Sequence, residues 1–137
     1  MIKKINEDTV EVSVFPFMDG EIGFYTSKSP DKESLNEDCL GFIELEKDCG
    51  VMAIADGIGG QRSGSVASEI AIESIFSALK KFKGDPRENL RESLLNAIDI
   101  GHGEITNLCV GAGTTLVVAE VVDQNVRFYN LGDSVGY

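Results

Sequence analysis

The sequence contains 137 residues, of which 42% are hydrophobic, and this length and composition are typical of one globular domain. Its 23 acidic residues outnumber 12 basic residues, and the net charge of −11 argues against nucleic acid or an anionic membrane as the main partner. Because the sequence shows neither a secretory leader nor a long apolar run, we expect a cytoplasmic protein that does not enter a membrane.

The N-terminal part is predicted to form a β-hairpin. Alternating valines predict a strand from Val10 to Phe17, and Asp19-Gly20 predicts a turn into a second strand from Ile22 to Thr26. The polar segment from Ser27 to Leu35 contains a proline and is predicted to be a loop.

A second pair of strands is predicted from Leu40 to Leu45 and from Val51 to Ala55, joined by a turn. Because the second run is uninterrupted by polar residues, we expect both of its faces to be buried. If the two strands form an antiparallel hairpin around this turn, Asp38 faces Asp56 at the same end of the sheet.

Two amphipathic helices are predicted next. Apolar residues recur at helical spacing from Val66 to Phe82, and Ser63 or Ser65 is a candidate N-cap. Asp85-Pro86 predicts the start of a second helix, whose apolar positions continue to Ile105.

The C-terminal part is predicted to form another hairpin, with strands from Leu116 to Val122 and from Val126 to Leu131. Strands that precede and follow a helical pair indicate an α+β fold, with helices on a mainly antiparallel sheet. No repeat or linker divides the chain, so we expect residues 1–137 to form a single domain.

Asp56 ends the apolar strand and leads into a glycine-rich turn with glycines at 57, 59, 60 and 64. A carboxylate at the end of a buried strand needs a partner, and glycines permit positive φ and a close approach of the backbone to a ligand. The turn matches neither the GxGxxG pattern nor a Walker A loop. An ordinary surface Asp-Gly turn is the simpler alternative.

Glu37 and Asp38 precede the strand that we expect to pair with the one ending at Asp56. Two facing carboxylates repel each other, and a divalent cation would remove this conflict. Oxygen ligands favour Mg²⁺ or Mn²⁺ over zinc, and the three cysteines and single His102 fit neither a zinc site nor a disulfide framework. Simple solvation of a loop end accounts equally well for Glu37 and Asp38.

Four segments taken together resemble a known family: SLNEDCLGF, IADGIGGQRSGSVAS, GAGTTLVVAEV and YNLGDSVGY. They are similar, in order and spacing, to motifs of the metal-dependent protein phosphatases, the type 2C-like serine/threonine phosphatases, in their bacterial form. The resemblance implies a sandwich of two antiparallel sheets flanked by helices, in four αββα layers, with a two-metal Mg²⁺ or Mn²⁺ centre. It also implies that metal-activated water dephosphorylates phosphoserine or phosphothreonine in a protein substrate.

The resemblance assigns roles to individual residues of this sequence. Asp56 would bridge both metals, the carbonyl of Gly57 would be a further ligand, and Glu37 and Asp38 would support the centre directly or through water. The catalytic residues would thus be Asp56 and Asp38. The threonines and the Gly-Asp-Ser turn of the last two motifs are interpreted as structural.

The sequence departs from the family pattern in several places, including Ile58, where some relatives carry a histidine. Glu33 occupies the place of an arginine that binds the substrate phosphate, so the neighbouring Lys32 is the candidate substrate-binding residue, acting as a point charge. Val135 replaces a second arginine, and the family's later aspartates have no counterpart before Tyr137.

We therefore expect a truncated sandwich, part of a longer product, with little activity alone. A catalytically inactive, phosphatase-like binding or regulatory module is the alternative, and an unrelated acidic α+β domain is a third hypothesis.

Overall fold

The computed structural model describes residues 2–5, 7–31, 35–58, 62–108 and 111–137, with the side chains of residues 2–4 and 62 left aside. Its main sheet is antiparallel and has the strand order β1-β4-β5-β7-β8, with the short strand β6 paired to β5 alone. The strands of this sheet are β1 Ile2–Ile5, β4 Asp38–Glu46, β5 Cys49–Ile58, β6 Gly113–Thr114, β7 Leu116–Val122 and β8 Asn125–Leu131.

A two-stranded hairpin, formed by β2 Ser13–Phe17 and β3 Gly20–Phe24, packs on one face of the main sheet. Phe42 of β4 is fully buried beneath it, and the ring of Phe17 meets the Phe42 ring edge-on at a centroid distance of 5.6 Å. The predicted hairpin is confirmed. The predicted start at Val10 is wrong, because Val10 is fully exposed and the strand begins three residues later.

Two helices, α1 Arg62–Lys81 and α2 Pro86–Asn107, cover the opposite face of the sheet. The core between sheet and helices is formed by small and branched apolar side chains together with Phe76, and its fully buried members include Ile72, Ile75, Leu90, Leu94, Val51 and Val118. The predicted α+β class is therefore confirmed. The described residues form three layers: helices, main sheet and hairpin.

The helix N-termini differ in how well the sequence predicted them. Asp85 caps α2 as predicted, because its side chain accepts a hydrogen bond of 2.9 Å from the backbone amide of Arg87. The candidate caps of α1 are wrong, since Ser63 and Ser65 both lie inside the helix. Gly101 lies inside α2 and is buried where the two helices meet, because a Cβ added there would stand 2.9 Å from the hydroxyl oxygen of Ser74.

The predicted C-terminal hairpin is confirmed as β7 and β8, joined by a tight turn in which Asp123 and Gln124 have positive φ. Two strands of the main sheet, β1 and β6, were not predicted. Two lysines interrupt the apolar pattern of β1, and β6 has only two residues.

The expectation that both faces of Val51 to Ala55 are buried is wrong. The side chains that face the helices are buried, but Ile54 on the opposite face is 44% exposed. The hairpin shields Phe42 and leaves the neighbouring part of the sheet open, so an apolar groove of about 490 Å³ lies there, with Ile54, Val126 and Phe128 among its lining residues. No helix in the described part of the chain is both long and apolar enough to cross a membrane.

Candidate metal centre

The ends of β4 and β5 bring Asp38 and Asp56 together. In the antiparallel register of these strands, the two residues are direct partners, as the sequence predicted, and the pairing continues regularly from Cys39 and Ala55 into the sheet. Asp38 is half-buried and Asp56 is exposed. Two carboxylates are thus delivered to one point at the rim of the sheet by rigid backbone.

The backbone of Asp56 is fixed by the segment that enters β7. Its amide donates to Oγ1 of Thr115 at 3.1 Å, and its carbonyl oxygen accepts from the Thr115 amide at 2.9 Å and from the Thr114 hydroxyl at 3.0 Å. Thr115 is buried, and its hydroxyl also contacts the hydroxyl of Ser134 at 2.8 Å. The interpretation of these threonines as structural groups fits these contacts. The sequence did not predict that these threonines hydrogen-bond directly to the backbone of Asp56.

Asp38 is held by a small buried network that the sequence analysis missed. The amide of Asp38 donates to Oδ1 of Asn36 at 3.0 Å, an Asx turn within the Asn-Glu-Asp motif. Asn36 donates in turn to the hydroxyl of Thr26 at 3.0 Å, and that hydroxyl donates to Oδ2 of Asp38 at 3.3 Å. The signal in the sequence was the polar Thr26 at the end of a predicted strand, and it is only 5% exposed.

Glu37 links the Asp56 turn to the first turn of α1. Its backbone carbonyl accepts hydrogen bonds from the Gly57 amide at 3.1 Å and from the Ser68 hydroxyl at 2.6 Å. Its side chain is buried and lies over Gly64, where an added Cβ would stand 2.6 Å from Oε1 of Glu37. The structure therefore places this carboxylate against α1, in a different direction from its strand neighbours.

The glycines of the turn serve close packing, where the structure describes them. A Cβ on Gly57 would lie 2.1 Å from the carbonyl oxygen of Gly64, and neither residue has positive φ. The expected positive φ is thus not found at these two positions, and the backbones touch instead. Gly59 and Gly60 lie outside the described residues.

A small polar recess of about 60 Å³ opens beside the aspartate pair. It is lined by Ser27, Lys28, Ser29, Leu35, Asn36, Glu37, Asp38 and Asp56. The apolar groove on the open sheet face is much larger, but it contains none of the candidate site residues. The chemistry of the chain therefore points to the smaller recess. Lys32, the predicted substrate-binding residue, lies outside the described residues.

The donor atoms around this recess fit a hard divalent cation in their chemistry. Asp38 and Asp56 offer carboxylate oxygens on a rigid sheet end, and none of the described residues that line the recess offers a sulfur or imidazole ligand. Within the described ranges, no group of three or more His, Cys, Asp and Glu side chains is placed to hold a metal ion. The described residues thus supply a carboxylate pair, to which further ligands or water must be added for a complete shell.

Comparison with known proteins is consistent with this geometry. The family model described as Protein phosphatase 2C matches residues 28–136. The serine/threonine phosphatase stp of Listeria monocytogenes serovar 1/2a is 35% identical over 109 residues, which are 74% of this chain and 43% of that protein. The protein phosphatase PhpP of Streptococcus pneumoniae strain D39 is 29% identical over 108 residues, covering 75% of this chain and 44% of that protein.

Solved structures show the same fold. The serine/threonine phosphatase of S. agalactiae superposes with a TM-score of 0.66 and 23% identity, covering 90% of this chain and 48% of that chain. The serine/threonine phosphatase PstP/Ppp of Mycobacterium tuberculosis gives a TM-score of 0.58 at 19% identity and covers 96% of this chain and 47% of its own. The chain therefore spans less than half the length of these relatives.

Proposed function

The chain belongs to the protein phosphatase 2C family, and from this premise we propose that it forms part of a metal-dependent phosphatase that removes phosphate from phosphoserine or phosphothreonine in proteins. The Listeria monocytogenes relative is named a serine/threonine phosphatase and the Streptococcus pneumoniae relative a protein phosphatase, which supports protein dephosphorylation as the reaction class. The observation that carries the proposal is the pairing of Asp38 with Asp56 at the end of the sheet.

The chain's own residues have distinct tasks in this proposal. Asp56 and Asp38 would hold Mg²⁺ or Mn²⁺, with Gly57 offering its carbonyl oxygen and Glu37 supporting the centre through its position beneath the turn. When bound, such ions lower the pKa of water and neutralise charge on a phosphoryl group. Thr115 keeps the backbone of Asp56 in place, so the ligand geometry does not depend on a mobile loop.

A non-catalytic binding or regulatory module is the second candidate. It is favoured by the ligand count, because the described residues bring together a carboxylate pair and no group of three or more potential metal ligands. Such a module would keep metal or phosphoprotein binding without turnover.

The two candidates are separated by measuring metal binding and hydrolysis on the same protein. We expect Mn²⁺ to bind, as followed by electron paramagnetic resonance, and Asp56→Ala to abolish this binding. Hydrolysis of p-nitrophenyl phosphate that requires Mn²⁺ and is lost in Asp56→Ala supports the phosphatase.

Mn²⁺ binding without turnover supports the regulatory module. Turnover that persists in a chelator, or an Asp56→Ala variant that binds Mn²⁺ like the unmodified chain, contradicts the proposed mechanism.

A further inference from the structure

We propose that Lys28 is the cation that binds the phosphate group of the substrate beside the Asp38–Asp56 pair. This inference rests on the proposed function, because it concerns the same recess and the same reaction. Lys28 lines the recess together with the hydroxyl-bearing neighbours Ser27 and Ser29. Three consecutive residues whose side chains can donate hydrogen bonds therefore line the recess that contains the carboxylate pair.

The backbone around Lys28 is anchored, so its side chain projects from a defined position. The amide of Lys28 donates to Oδ1 of Asp8 at 2.9 Å. Two residues earlier, three hydrogen bonds join Thr26 to Thr9. The Thr26 amide donates to the Thr9 hydroxyl at 3.0 Å, and the Thr26 carbonyl accepts from the Thr9 amide at 2.8 Å and from the Thr9 hydroxyl at 3.0 Å. The same Thr26 contacts Asp38, so Lys28 and the aspartate pair share one rigid support.

Charge explains why a cation is needed at this place. Glu37, Asp38 and Asp56 all line the recess, and a phosphate monoester brings about two further negative charges at neutral pH. Lys28 is the cationic residue that lines this recess within the described chain, and its positive charge favours the approach of an anionic phosphate to the carboxylate pair.

The ammonium group of Lys28 is available for this task. Lys47, Arg87 and Arg127 each form an ion pair with a carboxylate, whereas Lys28 forms none with the described residues. A lysine already paired with a carboxylate would have to break that contact before it could bind a phosphate. Lys28 can bind a phosphate without first breaking an ion pair with a described residue.

The space around Lys28 suits a phosphorylated side chain. The recess of about 60 Å³ has room for a phosphate group or a few water molecules. A wider cavity of about 420 Å³ adjoins it, and Lys28, Leu35 and Asn36 line both. Lys28 thus borders both the recess and the wider cavity.

The test measures the binding of inorganic phosphate to the full chain by NMR titration in the presence of Mg²⁺, after Mg²⁺ binding itself has been titrated. Lys28→Gln removes the charge, and Lys28→Arg retains it. Lys47→Gln is the matched control, because Lys47 is an exposed lysine in the turn at the other end of the β4–β5 pair.

We expect Lys28→Gln to weaken phosphate binding by about tenfold or more, the scale of one charge-assisted hydrogen bond, with Mg²⁺ affinity unchanged. Lys28→Arg and Lys47→Gln should bind phosphate within about twofold of the unmodified chain, since neither removes a charge from the recess.

Unchanged phosphate affinity in Lys28→Gln overturns the inference while leaving the proposed function intact. The same holds if Lys32→Gln, rather than Lys28→Gln, removes phosphate binding. If Mg²⁺ does not shift the resonances of Asp38 and Asp56, the proposed function fails first and this inference falls with it.

Discussion

The backbone amide of Asp56 donates to the Thr115 hydroxyl at 3.1 Å, and the backbone amide of Thr115 donates back to the Asp56 carbonyl at 2.9 Å. This reciprocal pair makes a buried threonine the support of the candidate metal ligand. Thr115→Val keeps the shape of the side chain but leaves the Asp56 amide without its acceptor. We expect the free energy of unfolding, measured in urea, to fall by about 1–3 kcal/mol.

Thr115→Ser is the matched control, because serine retains the hydroxyl and loses only a methyl group. It should unfold within about 1 kcal/mol of the unmodified chain. If Thr115→Val and Thr115→Ser are equally stable, the hydroxyl contact does not support Asp56.

The charge conflict between Asp38 and Asp56 predicts opposite effects of one substitution with and without metal. Asp56→Asn removes one of two like charges that face each other across the strands, so the metal-free chain should gain roughly 0.2–1 kcal/mol of unfolding free energy. With Mg²⁺ added, the unmodified chain should become more stable in proportion to occupancy, and the variant should not.

Thermal or urea unfolding with and without Mg²⁺ measures both effects. Glu73→Gln is a suitable control, because it removes a negative charge from the exposed side of α1, far along the chain from the recess. Stabilisation of Asp56→Asn by Mg²⁺ to the same extent as the unmodified chain would show that the metal binds elsewhere.

Backbone contact between Gly57 and Gly64 predicts a strong effect of a single methyl group. A Cβ on Gly57 would meet the Gly64 carbonyl oxygen at 2.1 Å, and backbone cannot move aside as a side-chain end can. Gly57→Ala should therefore lower the free energy of unfolding by at least about 2 kcal/mol, as overpacked sites do.

Gly113→Ala provides the comparison, since this strand glycine pairs with Ile58 and has open space where its Cβ would be. It should be neutral or slightly stabilising, because alanine loses less conformational freedom than glycine on folding. Equal destabilisation by both substitutions would show that the contact with the Gly64 carbonyl oxygen is not the cause of the effect at Gly57.

The most useful sequence prediction was the register of β4 and β5. A tight turn between two apolar runs fixes which residues face each other, so the Asp38–Asp56 pair followed from residue numbers alone. The bulge near Glu44 and Glu46 lies close to the turn and does not disturb the pairing at the far end. Local signals were therefore sufficient where the relevant contacts were close in sequence.

Contacts between distant segments were beyond the reach of the same reasoning. Thr115 and Asp56 are 59 residues apart in sequence, and Glu37 and Ser68 are 31 apart. No periodic pattern in the sequence predicts either contact. The exposure of Ile54 had a similar origin, because its burial depends on how much of the sheet a separate layer covers. Apolar patterning indicated that this face can be buried, and the described hairpin covers Phe42 but leaves Ile54 open.

A buried thiol on β5 predicts how stability changes at alkaline pH. Burial, followed by the negative charge of Glu46, raises the pKa of the Cys49 thiol from its ordinary value of 9.0 to about 11. The folded chain therefore holds a proton that the unfolded chain releases, so the stability that the neutral thiol contributes is complete below pH 9 and is lost as the pH rises towards 11. The difference in unfolding free energy between the unmodified chain and Cys49→Ala should shrink over this interval.

Urea unfolding of both proteins at pH 7.5, 9, 10 and 11 measures this difference, and groups that titrate in both proteins cancel from it. Cys39 is a second buried thiol, so Cys39→Ala indicates whether the effect is specific to position 49. Slow modification of Cys49 by a thiol-directed reagent at pH 8 is expected as well, because the thiolate is the reactive form. A difference that stays constant from pH 7.5 to 11 would mean that the folded chain does not favour the neutral thiol at this position.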